Sequence, residues 1–103
     1  MIGVLVRFSY DGEGFSEERL RQIAEGARGK FEGMPGVRSK AFTIDPVKQE
    51  ALNFYVWESE EAAKAFFTQQ LIARVTELYG VEPTLQFVNV AELVENRFSQ
   101  SPQ

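Results

Sequence analysis

The stretch Asn53–Phe67, NFYVWESEEAAKAFF, joins the most apolar strand-like run of the chain to its longest helical one. Along Ala51–Trp57 successive side chains alternate, so Asn53, Tyr55 and Trp57 share one face while Leu52, Phe54 and Val56 share the other. Both sets are apolar enough to be buried. Val, Phe, Tyr and Trp favour strands and Asn does not, which makes Asn53 the misfit of the run. A buried amide left without partners costs about 1–3 kcal/mol, so Asn53 must find some. Two readings stand side by side. In one, Asn53 bonds a neighbouring strand or loop and Trp57 fills core with its indole N–H on a carbonyl. In the other, the two groups face a ligand.

Downstream, Ser59 is a good N-cap, with Glu60 and Glu61 suited to a helix N-terminus. The helix is expected to run to about Tyr79, where Gly80 is a natural left-handed terminator. Ala62, Phe66, Ala73 and Leu78 are candidates for its buried stripe, and Phe67, Leu71, Ile72 and Val75 widen that stripe enough to imply a second contact. A fourth strand follows over Val81–Val90, then a short terminal helix over Ala91–Phe98 and a frayed tail over Ser99–Gln103.

Upstream, Val37–Ile44 alternates with Arg38, Lys40, Phe42 and Ile44 on one face, and its polarity suits an edge strand or the mouth of a site. Asp45-Pro46 opens a short connection to the third strand. Ile2–Ser9 is a first strand with Ile2, Val4, Val6 and Phe8 on one face. Ser16 caps a helix whose Leu20, Ile23, Ala24, Ala27 and Phe31 recur at helical spacing, with Glu17 and Arg21 paired toward solvent, and Met34-Pro35-Gly36 stops it.

The order β-α-β-β-α-β is the ferredoxin-like α+β pattern, and right-handed crossovers put both helices on one face of a four-stranded antiparallel sheet. The other face also carries large apolar side chains, more than a monomer normally exposes, which points to a homodimer closing two sheets into a dimeric α+β barrel. The expected layout is one domain over residues 1–98 and a tail over 99–103.

Composition narrows the chemistry. At 103 residues and a net charge of −4, the chain is one domain with no broad electrostatic case for nucleic acid or an anionic membrane as partner. It has no Cys and no His, which removes disulfides, thiolate catalysis, the usual metal and haem ligands, and the usual general base near neutral pH. Met1 leads directly into a strand-like segment too short and interrupted for a signal peptide or membrane span, so a cytoplasmic location is expected. Asp11–Gly14 lacks the oxygen ligands of a calcium loop, and Asp45, Glu50 and Glu58 sit at turns and caps without the spacing of an acid–base pair.

A pocket for a small molecule is expected between helices and sheet. Its candidate lining is Asn53, Tyr55 and Trp57 from the third strand, Phe66 and Gln70 from the second helix, and Phe8 and Phe31 from the first half, with Arg38 and Arg74 as anchors for an anionic group.

The string Asn53-x-x-x-Trp57-Glu58-Ser59-x-Glu61-Ala62 resembles that of the antibiotic biosynthesis monooxygenase-like families, small dimeric α+β barrels in which such a strand runs into a helix. The resemblance is specific over this stretch and architectural elsewhere. It implies a cofactor-independent monooxygenase acting on an anthrone, quinol or similar small aromatic molecule, in which the deprotonated substrate supplies the electrons and no metal or flavin is needed. On that basis Asn53 would hydrogen-bond a substrate oxygen or a peroxide, and Trp57 would donate its indole N–H and stack on the ring system. Tyr55 would serve as an acid only if its phenol pKa, ordinarily about 10, were lowered. No base is assigned. Where some of those enzymes carry an aromatic hydroxyl in the following helix, this chain has Ala63. A non-catalytic barrel binding a small apolar ligand, and an isomerase or cyclase on the same scaffold, are the alternatives.

Overall fold

A computed structural model describes residues 1–96. The elements follow in the order β1 (Ile2–Ser9), α1 (Glu17–Phe31), β2 (Val37–Asp45), β3 (Glu50–Trp57), α2 (Glu60–Phe66), α3 (Gln69–Tyr79) and β4 (Thr84–Asn89). The strands form one antiparallel sheet in the order β2-β3-β1-β4, with β2 at an edge as its polarity predicts. This is the ferredoxin-like arrangement.

Register sorts the two faces. Val4 lies opposite Tyr55, Val6 opposite Asn53 and Phe8 opposite Ala51, so these side chains share the face beneath the helices. There Val4, Val6, Phe8, Ala51, Tyr55 and Trp57 are buried. Leu5 opposite Phe54, and Gly3 opposite Val56, belong to the other face, where Phe54 remains 37% exposed.

Local chemistry sets the helix ends. Ser16 Oγ accepts the Arg19 N–H at 3.2 Å and Ser59 Oγ accepts the Ala62 N–H at 3.1 Å, each satisfying a donor that a first helical turn leaves free. Gly80, at φ 85°, ends α3 in the left-handed conformation.

Three expectations need correction. The second helix is not continuous to Tyr79. It breaks at Phe67, and Thr68 recaps the chain by accepting the Leu71 N–H at 3.1 Å. Consecutive residues of one α-helix point about 100° apart, yet Phe66 and Phe67 both pack on Trp57, with ring centroids at 5.1 and 5.9 Å. Breaking the helix lets both face inward, and this accounts for the wide apolar stripe. With α3 rephased, Ala73 and Leu78 are exposed and Tyr79 takes the buried position.

Residues 91–96 form no terminal helix. The Val90 N–H donates to the Met1 carbonyl at 3.1 Å and Glu95 pairs with Arg38 at 3.5 Å, so the chain crosses the end of the sheet from β4 to β2. These tertiary contacts outcompete a short helix, which is marginal by itself. The remainder of that expected helix and the tail over 99–103 lie outside the described residues. Finally, the fourth strand begins at Thr84 rather than Val81, after Pro83, which has no N–H for a ladder.

Candidate active site

A cavity of about 460 Å³ opens between the sheet and the helices, with α1 and α3 both lining it. Its floor is Lys40 and Phe42 from β2 with Asn53 and Tyr55 from β3. Ile23, Ala27, Lys30 and Phe31 of α1 form one wall, and Leu71, Arg74, Val75 and Tyr79 of α3 the other, with Phe66 closing the α2 side. A smaller cleft of about 130 Å³ lies toward Leu20, and Phe42, Asn53 and Tyr79 border both spaces.

Of the candidates read from the sequence, Asn53, Tyr55, Phe31, Phe66 and Arg74 meet in this cavity, and Trp57, Phe8, Gln70 and Arg38 do not. Each absence has a cause. Phe8 lies behind Tyr79, stacked at 3.7 Å with the rings 5° from parallel. Gln70 is one residue off the face on which the rephased α3 presents Leu71, Arg74 and Val75. Arg38 is displaced by a bulge: Val37 pairs with Trp57 and Ser39 with Val56, so Arg38 drops out of the alternation and turns to Glu95. Trp57 is enclosed by Tyr55, Phe66 and Phe67, and among the described residues its indole N–H has no acceptor.

Asn53 is 5% exposed, and its Nδ2 donates to the Tyr79 hydroxyl at 3.1 Å. The partner is therefore a side chain rather than a neighbouring strand or loop. Tyr79 is pinned in turn by Phe8 and by the Tyr10 hydroxyl, which donates to the Tyr79 carbonyl at 2.7 Å. Burial raises the Tyr79 phenol pKa, with the Asn53 hydrogen bond acting in the opposite sense. Tyr55 is also raised, by burial first and by Tyr79 second, which is the reverse of the lowering that an acid near neutral pH would need.

The sequence reading missed Lys40. Its Nζ donates to the Tyr55 hydroxyl at 2.6 Å and lies 3.7, 4.2 and 4.0 Å from the ring centroids of Phe31, Phe42 and Tyr55. Burial, assisted by the positive Lys30, lowers its pKa to about 7, while the ring faces favour the charged form. The alternation of β2 already grouped Lys40 with Phe42, but only pairing with β3 brings them to Asn53 and Tyr55. Tyr79 was signalled more faintly, by its helical spacing from Leu71 and Val75.

The cavity is cationic in a chain of net charge −4: Lys30, Lys40 and Arg74 line it and no carboxylate does. Among the described residues no three carboxylates gather to hold a metal ion, and no helix is long and apolar enough to cross a membrane.

No family model and no curated protein matches the chain. Solved structures do. A monooxygenase of Streptomyces coelicolor in complex with the ligand nanaomycin D superposes with a TM-score of 0.67 at 20% identity, over 93% of this chain and 92% of that one. SnoaB, a cofactor-independent oxygenase from Streptomyces nogalater, gives 0.62 at 14% identity over 92% and 97%. The fold is that of the antibiotic biosynthesis monooxygenases. Likeness at such identity is a statement about the fold alone, since one scaffold carries many activities. The same monooxygenase fold is shared by a protein of unknown function from Nitrosomonas europaea, with a TM-score of 0.69 at 15% identity over 94% of this chain and 95% of that one.

Proposed function

We propose that the protein is a cofactor-independent monooxygenase that takes an electron-rich, phenolic aromatic substrate and O2 in the cavity over Asn53 and Tyr55. The observation that carries this reading is an apolar, aromatic-walled cavity with one buried amide on its floor and three cations, without a carboxylate, around it. Apolar walls suit a ring system, cations suit the phenolate it becomes, and a preorganised amide donor stabilises a developing oxyanion most strongly once bound substrate has displaced water from the cavity. The named activities of the Streptomyces coelicolor and Streptomyces nogalater proteins support the same reaction class.

Asn53 hydrogen-bonds the substrate or peroxide oxygen. Tyr55 borders the substrate and stays protonated. Trp57 is a positioning residue, its ring stacked at 5.9 Å behind Tyr55. In the net reaction the substrate gives four electrons to O2, as when the CH2 of an anthrone becomes C=O; one oxygen atom enters the product and the other leaves as water with the two hydrogens.

The test offers metal-free protein an anthrone or a dihydroquinone under air and under argon, beside Asn53→Ala and Trp57→Phe. Oxygen-dependent turnover in the parent, lost in Asn53→Ala, is expected. Tight binding of the same compounds without turnover would replace the enzyme by a ligand-binding barrel.

In the same reading the chain works as a homodimer, with the uncovered sheet face meeting its copy. Leu5 and Phe54 sit opposite each other on that face and Phe54 is 37% exposed, an apolar centre suited to burial against an identical surface. Sedimentation of Phe54→Lys is expected to give a monomer; a monomeric parent protein would end that proposal.

A further inference from the structure

The monooxygenase reading leaves open which group takes the substrate's proton, and the chain has no His. The groups that titrate or carry charge around the cavity, apart from Lys40, are Lys30 from α1, Tyr55 from β3, and Arg74 and Tyr79 from α3. The α2 side contributes only Ala65 and Phe66. Arg74 is a guanidinium on the exposed side of α3. Both tyrosines hold theirs more tightly than in water. Lys30 is exposed rather than held against the floor.

We propose that Lys40 is the general base of this site: its amine takes the proton of a phenolic substrate held over Asn53 and Tyr55, and the ammonium so formed pairs with the phenolate. The inference rests on the oxygenase reading for its substrate class. Its geometry is independent of that reading. Register sets Lys40 opposite Tyr55 and Phe42 opposite Asn53, so the amine and the amide stand on neighbouring rungs of one floor. Nζ donates one N–H to the Tyr55 oxygen at 2.6 Å, and its other positions are left to the cavity that Lys40 lines. Three ring faces lie within 4.2 Å of Nζ and hold it in place when it is charged. Burial beside Lys30, with no carboxylate in the lining to fix the charge, leaves the free amine populated near neutral pH.

The step balances. The substrate O–H bond breaks, its electron pair stays on oxygen, and an N–H bond forms on Lys40. A ring carbon of the phenolate then forms a C–O bond to O2, the Lys40 ammonium returns the proton to the resulting peroxide anion, and the hydroperoxide loses water as its O–O bond breaks and the C–H proton leaves, giving the carbonyl.

Two variants and two readouts test this. Lys40→Met removes the amine; Lys40→Arg keeps a cation that cannot release its proton. The first readout is oxygen-dependent turnover of an anthrone. The second is the apparent pKa of bound 2-hydroxyanthraquinone, a phenol whose visible band moves to the red on ionising, and its binding also reports an intact cavity. Turnover is expected to fall by on the order of 100-fold or more in both variants. The parent's rate is expected to rise with pH through about 7, a limb that both variants lose. The bound dye is expected to ionise about one unit lower in the parent than in Lys40→Met, a tenfold change in its acidity. Parent-like turnover in Lys40→Arg would show that a fixed cation suffices and overturn the proposal, as would Lys40→Met leaving rate and dye unchanged. If no anthrone is turned over but the dye ionises in a Lys40-dependent way, the oxygenase reading falls and the base stands. If turnover needs oxygen but ignores Lys40, the base falls and the oxygenase stands.

Discussion

Asn53 and Trp57 sit on one face of β3 with Tyr55 between them, and at 5% and 2% exposure they are almost equally buried, yet their surroundings are opposite. Around Trp57 every side is filled. Phe66 and Phe67 cover it, and Gly36, at φ 90°, brings backbone so close that an added Cβ would lie 3.2 Å from Ala62 Cβ and 3.5 Å from the indole. Around Asn53 the cavity takes the place of packed rings. Low exposure therefore means filled core in one case and the floor of a hollow in the other. What separates them is the break at Phe67, which turns two rings onto Trp57 and rephases α3 so that Leu71, Arg74 and Val75 line the hollow beside Asn53.

The contrast can be broken at either end. Trp57→Ala should have the largest effect, about 3–5 kcal/mol of stability in urea unfolding, because packed rings collapse poorly into a void. A loss under about 1 kcal/mol would show that this end is not sealed.

Next comes pH. A lysine whose folded pKa is depressed binds fewer protons folded than unfolded, so stability rises with pH between the two values. For Lys40 that window runs from about 7 to the ordinary lysine value of 10.5. The slope should reach at most about 1.4 kcal/mol per pH unit, flattening below 7. With no His or Cys in the chain, little else titrates there. The tyrosines raised by burial act with opposite sign, and only above 10. Urea melts from about pH 6 to 9.5 should show the slope in the parent and not in Lys40→Met.

Tyr79→Phe removes the acceptor for the Asn53 amide. It should cost about 1 kcal/mol, at the low end for an orphaned buried donor, because water in the cavity can replace the hydroxyl. Thr68→Ala tests the break itself. Loss of this cap should cost about 0.5–1 kcal/mol by the same melts and leave the helix content in circular dichroism nearly unchanged.

Much of this was legible in the residues. Alternation in Ile2–Ser9 and Ala51–Trp57, with caps at Ser16 and Ser59 and the terminator at Gly80, is local chemistry, so the elements and the shared face of Asn53, Tyr55 and Trp57 follow from sequence. The site was half legible. Asn53 stood out because an amide is out of place in an apolar strand. Lys40 did not, because a lysine on a polar strand is ordinarily solvated. The break at Phe67 was not legible, because a run without Gly or Pro gives no cause to stop until the two phenylalanines have something to pack on.

By itself, then, the sequence determined the four strands, the first helix, the outer ends of the second helical stretch, their order, and the shared face of Asn53, Tyr55 and Trp57, because each depends on neighbours a few residues away. Tertiary structure alone decided that Trp57 is walled in, that the Tyr79 hydroxyl meets the Asn53 amide, and that the Lys40 amine lies over three rings in a site without a counter-charge. Those outcomes depend on strand register, on a bulge at Arg38 and on how α3 is phased. Each brings together residues far apart in the chain, and no local periodicity encodes that.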